Sequence, residues 1–343
     1  FRDILLETFD VHDKNVALDI TGEWRSSGNI AKRIANTLAD NSTVLLIDEY
    51  DAPLTHHLNK PDELRDIMCI LNNFYAVIKE YTKKFRFIFI TGVTRTAHVS
   101  IFSAFNNLED LSLKKEYNTL LGFTQDELRQ CFDPYAENAA HVLGMSKEAL
   151  YARLEYYYDG FQFAIEAEET LYNPWSVLNF FSDPDKDFQN YWYESAGTSS
   201  FIMQYLKLKD DFDFLQYRYR EILVTFSQLG SRYELTNIPK EILLYQAGYF
   251  TARKETGMKA KLVITNEEVE ESLLNLYIIE NNMKTSVQLD RKIEKIEEYI
   301  DCKDLFKIID IFNDIIIECI SNKIKTHWQS LTIFERFSVS ENS

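Results

Sequence analysis

The chain has few of the residues that break or cross-link a fold, and it has no long apolar run. Its 343 residues include 10 glycines, 6 prolines and 4 cysteines, which disfavours long flexible linkers and a disulfide scaffold. The cysteines form no C-x-x-C pair and therefore indicate neither a zinc knuckle nor a redox motif; they are Cys69, Cys131, Cys302 and Cys319. Because no stretch of about 18 uncharged apolar residues occurs, we predict no membrane span and no membrane partner.

Positive charge is also scarce. The chain carries 37 Lys and Arg against 54 Asp and Glu, which gives a formal net charge of −17, and it contains no extended basic block. Because an acidic surface repels a phosphate backbone, we predict that this chain alone does not bind nucleic acid. Such a surface suits a basic protein partner, although it also serves solubility alone.

The first third of the chain alternates apolar strands with amphipathic helices. We predict strands at 15–20, 43–48 and 85–91, with helices at 29–40 and 61–84 between them. Apolar strands joined by helical crossovers form parallel sheets that are covered on both faces. The sequence therefore predicts an α/β fold with a parallel sheet core.

From about residue 120 the pattern becomes mainly helical. The T-x-x-E spacing of Thr124 and Glu127 predicts a capping box in front of an apolar helical face. A later helix is predicted to close at Gly160, and a small β element is predicted at 231–236 and 249–254.

These patterns divide the chain into three parts. They are an α/β core (1–120), a helical region (121–285) and a C-terminal helical extension (286–343). No shift in composition marks a linker at either boundary.

The segment VLLIDEYDAPL, residues 44–54, runs directly into three carboxylates. Asp48 and Glu49 lie at the strand end, and Asp51 follows two residues after Glu49. Ligands collect at the carboxyl ends of parallel strands, and an apolar strand ending in Asp-Glu is typical of P-loop ATPases, where it holds Mg²⁺ and polarises water. Asp48 and Glu49 are therefore candidate catalytic residues. The pattern also arises by chance, and Asp51 then serves only to cap the following turn.

The next strand also ends in polar residues. The segment FIFITGVTRT, residues 87–96, places Thr91 and Arg95 after its apolar run. In ATPases the corresponding strand ends in a polar residue near the γ-phosphate, so Thr91 is a candidate for that role and Arg95 for supplying positive charge. The alternative is structural: Arg95 forms an ion pair with Asp51 or Asp48 and holds two loops together.

Eight blocks of the sequence occur in a fixed order: LLIDEYDAPL, FITGVTRTAHVSIFSAFNNLEDL, GFTQDEL, YYYDGFQF, LYNPWSVLNFF, NYWYESAGTSSFI, YQAGYFTAR and ITNEEVEESLL. Together they resemble the bacterial AAA-ATPase-like family, and the resemblance extends from about residue 15 to about residue 275. It implies a P-loop/AAA-like α/β core with Asp48 and Glu49 in the Walker B place and Thr91 in the sensor place. It also implies a link to a nuclease-type domain of the PD-(D/E)XK kind, which is common in that family.

Two features of that family are missing from these 343 residues. No glycine is followed by lysine, so the chain contains no P-loop, whose backbone amides and lysine bind phosphate groups. The nearest imitation, GEWRSSGN at 22–29, has Asn29 where the lysine belongs, and we interpret it as a strand-to-helix turn. The nuclease core is not recognisable either, because the E-K spacings of IEKIEEY fall in an amphipathic helical pattern.

We therefore expect a degenerate AAA-ATPase-like module that uses neither ATP nor Mg²⁺ as a cofactor and acts by binding a protein. The aromatic segments YYYDGFQF and NYWYESAGT serve either as a surface for that partner or as the core of the helical region. One specific form is a guanine-nucleotide exchange factor for a small GTPase, because acidic side chains can compete for the Mg²⁺ and the P-loop lysine of the GTPase.

The alternatives are a genuine ATPase whose P-loop precedes Phe1, with Asp48 then serving Mg²⁺ and ATP, and an accessory module of a nuclease. The start at Phe1 without Met predicts that the chain is part of a longer protein. We expect a cytoplasmic protein, either bacterial or delivered into a host cytosol, since the scattered cysteines favour a reducing compartment.

Overall fold

The computed structural model describes residues 27–95, 108–192, 198–208, 217–218 and 220–280, together with scattered positions between 295 and 311. The strands are β1 Thr43–Ile47, β2 Phe85–Ile90, β3 Ile222–Thr225, β4 Phe250–Lys254 and β5 Lys259–Ile264. The helices are α1 Ser27–Thr37, α2 Ala52–Thr55, α3 Pro61–Glu80, α4 Gln125–Val142, α5 Lys147–Tyr158, α6 Pro174–Ser182, α7 Thr198–Leu208, α8 Phe226–Gly230, α9 Lys240–Gln246 and α10 Glu267–Glu280.

The chain divides into two compact units. One consists of residues 1–211 and 215–270, and the other of residues 212–214 and 271–343. Both sheets and every site discussed below lie in the first unit. Of the second unit, the structure describes mainly the part of α10 that begins at residue 271.

Strands β1 and β2 form a parallel pair, as the alternation of apolar strands and helices predicts. Their register runs from Thr43 opposite Phe85 to Ile47 opposite Ile90. The predicted strand at 15–20 lies outside the described residues. The parallel pair, the helices around it and an antiparallel sheet later in the chain confirm a mixed α/β fold.

One face of the parallel pair differs from the expectation that both faces are covered. In the described part of the chain Val44, Leu46 and Phe87 are exposed, and Leu46 keeps 68% of its surface accessible. On the opposite face, Leu45 and Ile88 are half-buried. The apolar sequence predicts that these side chains favour burial. Tertiary structure decides which of the two faces is actually covered.

Helix α3 is the longest helix of the described α/β part, and its ends follow the usual charge pattern. It begins at Pro61, carries Asp62 and Glu63 in its first turn and has Lys79 in its last turn, an arrangement that suits the helix dipole. Helix α1 packs against α3, and an ion pair of 3.0 Å between Lys32 and Glu80 joins the two helices at the surface.

Helices α4, α5 and α6 enclose an aromatic and aliphatic core. The largest fully buried members of this core are Tyr151, Tyr158, Tyr172 and Phe180. Helix α4 begins with the predicted capping box: the amide of Glu127 donates to Thr124 Oγ1 at 3.2 Å, and the Glu127 carboxylate accepts from the Thr124 amide at 2.9 Å.

Helix α5 closes where the sequence predicts. Its last residue is Tyr158, and Gly160 follows with a φ of +106°, a conformation that favours glycine.

A three-stranded antiparallel sheet in the order β3-β5-β4 lies within the predicted helical region, after α7. The predicted strand at 249–254 is confirmed as β4. The predicted strand at 231–236 is wrong, because a 3-10 turn begins at Leu235 and is closed by a hydrogen bond of 2.7 Å from the Asn237 amide to the Glu234 carbonyl. That turn ends the extended run, and the strands that pair in its place are β3 and β5.

Candidate functional site

The carboxyl ends of β1 and β2 bring two predicted site residues together. The pairing of Ile47 with Ile90 places Asp48 beside Thr91, whose hydroxyl donates a hydrogen bond to the Asp48 carboxylate. The Thr91 amide donates to the Ile47 carbonyl at 2.9 Å, which extends the strand ladder by one residue. Asp48 is exposed, so an oxygen-rich pair lies at the open edge of the sheet.

Glu49 turns the chain away from this edge in an unusual backbone conformation. Its φ is +49°, a left-handed value that costs a residue with a side chain about 1–2 kcal/mol. The turn allows the Glu49 amide to donate to Asp48 Oδ1 at 3.0 Å and the Tyr50 amide to donate to the Thr91 carbonyl at 2.9 Å. The Glu49 side chain is exposed. A strained residue beside a candidate ligand site is a common feature of functional turns.

Asp51 has a different role from the turn cap that its position predicts. Only 1% of its surface is exposed, and as the residue before α2 it makes no capping hydrogen bond with its side chain. Its carboxylate instead accepts from the Val93 amide at 3.1 Å, the Thr94 amide at 2.6 Å and the Thr94 hydroxyl at 2.5 Å. The Tyr50 hydroxyl donates to the Thr94 carbonyl at 2.5 Å. The turn after β1 is thus bound tightly to the loop after β2.

Arg95 forms an ion pair, as the structural alternative predicts, but with a different partner. Its Nη2 lies 2.5 Å from Asp110 Oδ2, so the expected pairing with Asp48 or Asp51 is wrong. Its backbone amide donates to Gln246 Oε1 at 3.0 Å. Arg95 therefore links the loop after β2 to the later part of the first unit.

The oxygen donors at the strand ends fit a magnesium ion only in part. Asp48 and Thr91 supply a carboxylate and a hydroxyl, and such hard oxygen ligands suit Mg²⁺, which keeps several waters and otherwise binds phosphate oxygens. Among the described residues, no group of three or more His, Cys, Asp or Glu side chains is arranged to hold a metal. His57 is engaged locally, with Nδ1 2.9 Å from the Pro53 carbonyl.

Sequence reasoning missed the contribution of Asp51, Val93 and Thr94. A signal for it was present, because the loop after β2 carries the polar residues Thr91 and Thr94, and a further acidic residue, Asp51, follows β1. The pattern did not reveal that Asp51, rather than Arg95, connects the two loops. In the described part of the chain, no helix has the length and apolar character needed to cross a membrane.

Comparison with known proteins finds a family model and a curated relative. A curated relative from Azotobacter chroococcum mcd 1, described as "Uncharacterized protein in vnfD 5'region", is 31% identical over 245 residues, which is 70% of this chain. The chain spans 44% of the length of that relative. No solved structure matches the chain with significance. The family model described as "Predicted AAA-ATPase" matches residues 3–102, a range that contains both strand ends. Over this region the chain is similar to that AAA-ATPase-like family.

Proposed function

We propose that this chain retains the magnesium side of an ATPase-type nucleotide site, does not bind a triphosphate tightly by itself, and acts through contact with another protein. The observation that carries the proposal is the hydrogen bond from Thr91 to Asp48 at adjacent parallel strand ends. The same 343 residues contain no Gly-Lys pair that could form a phosphate-binding loop.

Each residue at the strand ends has a defined task in this proposal. Asp48 and Thr91 offer oxygen donors on one side of the site, and the exposed Glu49 carboxylate can accept a proton from water. A bound Mg²⁺ would supply charge neutralisation for phosphate oxygens. Arg95 is held by Asp110, so we do not assign it to phosphate.

The limit on triphosphate binding follows from charge. Asp48 and Glu49 are adjacent carboxylates, and a triphosphate placed beside them is repelled unless amides and a cation offset that repulsion. The segment GEWRSSGN supplies no lysine for such a loop, and Ser27, Gly28 and Asn29 are the first residues of α1.

Calorimetric titration of ATP with Mg²⁺ into the 343-residue chain tests this proposal. We expect no binding of micromolar affinity. The matched variants are Asp48→Ala and Asp66→Ala, the latter at an exposed position of α3. Micromolar, Mg²⁺-dependent binding that Asp48→Ala abolishes and Asp66→Ala preserves would overturn the proposal in favour of a genuine ATPase.

Exposed apolar side chains on α4 and α6 support the protein-binding part of the proposal. Trp175 and Leu178 lie about one turn apart on α6, and both are exposed. Tyr135 of α4, also exposed, lies with its ring 6.4 Å from that of Phe181, one turn beyond Leu178. Large aromatic side chains of this kind supply much of the energy of protein interfaces.

Guanine-nucleotide exchange on a small GTPase stays the specific form of this prediction. Release of labelled GDP from a panel of small GTPases is the assay, with Trp175→Ala and Tyr135→Ala as variants of these exposed side chains. Acceleration that these variants remove would support that form, and no acceleration with any GTPase of the panel would exclude it.

A further inference from the structure

A buried clamp joins the two loops that carry the candidate site. We use the term 51–94 clamp for Asp51, Val93 and Thr94 with the hydrogen bonds between them. The acceptor is the Asp51 carboxylate, which accepts hydrogen bonds from two backbone amides and one hydroxyl. The side chains of Asp51 and Thr94 are buried, whereas Asp48 beside them is exposed.

We infer that Asp51 is a positioning residue that holds the Thr91 hydroxyl on Asp48. The inference rests on the proposed function for its biological meaning, because the pair that Asp51 holds is the proposed magnesium side of the site. Asp51 is not assigned a contact with metal or nucleotide.

The backbone connections explain how the clamp acts on Thr91. The Thr91 amide donates to Ile47, and the Thr91 carbonyl accepts from the Tyr50 amide, so the residue lies between the two chain segments. Only Gly92 separates it from Val93, whose amide is bound by Asp51. With both sides fixed, the Thr91 side chain stays in the rotamer that meets Asp48.

Gly92 gives independent support for this close approach. A Cβ at residue 92 would lie 2.3 Å from the Tyr50 ring and 2.7 Å from Asp51 Oδ1. Only glycine therefore allows the loop to pass this close to Tyr50 and Asp51. The contact distances of the clamp depend on that approach.

The hydrogen bonds and burial of Asp51 also favour positioning over metal binding. Asp51 accepts three donors and is almost fully buried, so few of its lone pairs remain for a ligand. Such outer partners commonly fix the orientation of the groups that do bind a metal, and their loss lowers metal affinity.

The test uses the full 343-residue chain with labelled threonine methyl groups and Mn²⁺ as the probe. The main variant is Asp51→Asn, which keeps the side-chain size but replaces one acceptor oxygen with a donor. The matched control is Asp66→Asn, the same chemical change at an exposed position. Two quantities are measured by NMR: the rotamer population of Thr91 from three-bond couplings, and the Mn²⁺ concentration that broadens its methyl signal by half.

We expect Asp51→Asn to convert Thr91 from one rotamer to an averaged population. We also expect it to raise the half-broadening Mn²⁺ concentration by about 10-fold or more, the scale of outer-partner effects on metal sites. Asp66→Asn should change neither quantity, and Asp48→Asn should remove the Mn²⁺ effect at Thr91. A merely structural role for Asp51 would lower the unfolding temperature without this selective change.

The outcomes separate the two proposals. An unchanged Thr91 rotamer in folded Asp51→Asn overturns the positioning role. A changed rotamer, together with no Mn²⁺ broadening at Thr91 in the unmodified chain, supports the positioning role and overturns the magnesium side of the proposed function.

If Asp51→Asn does not fold, Thr94→Val replaces it. That variant removes only the hydroxyl donor to Asp51 and preserves both amide donors. A shift of Thr91 toward the averaged rotamer population supports the role, and an unchanged population overturns it.

Discussion

Gly160 follows α5 and packs against Thr265, the residue after β5, where there is no space for a side chain. A Cβ there would lie 2.2 Å from the Thr265 backbone oxygen, and the φ of Gly160 is +106°. Thr265 is itself held in place, because its amide donates to the Tyr249 carbonyl at 3.2 Å and its hydroxyl donates to the Gly248 carbonyl at 2.9 Å. The Thr251 hydroxyl also donates to the Gly160 carbonyl at 2.8 Å. We therefore predict that Gly160→Ala destabilises the first unit.

The size of the effect follows from two contributions. The left-handed backbone costs alanine about 1–2 kcal/mol. Separating the new Cβ from the Thr265 oxygen displaces the hydrogen bonds made by Thr251 and Thr265, each with a net value of about 1 kcal/mol. With three such hydrogen bonds, the free energy of unfolding should fall by about 4–5 kcal/mol in total.

Urea denaturation followed by tryptophan fluorescence measures this loss. The matched control is Gly257→Ala, because Gly257 has a φ of +71° and a Cβ added to it would have no atom within 4 Å. The control should show only the backbone cost of about 1–2 kcal/mol. Equal losses in the two variants would refute the argument that contact with Thr265 sets the difference.

Three further predictions concern the core, a buried acid and the candidate site. Phe180→Ala should lower the free energy of unfolding by about 3–5 kcal/mol, since Phe180 has 0% exposure, whereas Leu178→Ala, at 51% exposure, should cost far less by the same denaturation assay. Burial raises the pKa of Asp159, so stability should fall as pH rises from the ordinary aspartate pKa through the raised folded value. Asp159→Asn stays neutral and should lack that decline, and a fall of equal size in thermal scans across pH would contradict the assignment. Glu49→Gly should be about 1 kcal/mol more stable than Glu49→Ala, because both variants remove the charge and only glycine removes the left-handed strain.

Several elements of the fold were predictable because their signals are local. The capping box of Thr124 and Glu127 spans four residues, and the helix that ends before Gly160 shows its stop signal directly. The strand ends that carry Asp48 and Thr91 were also predictable, because parallel pairing brings such ends together. Their catalytic and sensor roles stay predictions.

The partner of Arg95 was not predictable from the pattern. Asp110 lies 15 residues after Arg95 in the sequence, and Gln246 lies 151 residues after it. No spacing rule selects either of them. Asp51 likewise became a clamp residue because the loop after β2 folds back within hydrogen-bonding distance of its carboxylate.

The amino-acid order alone determined the periods of helix and strand, the caps and the set of oxygen-bearing residues that follow β1 and β2, because each depends on neighbours a few residues apart. Tertiary structure alone decided which donors the Asp51 carboxylate binds, which acid pairs with Arg95 and which face of the parallel strands is exposed. Those outcomes depend on distances between segments that are remote in sequence, and only the packed chain fixes such distances.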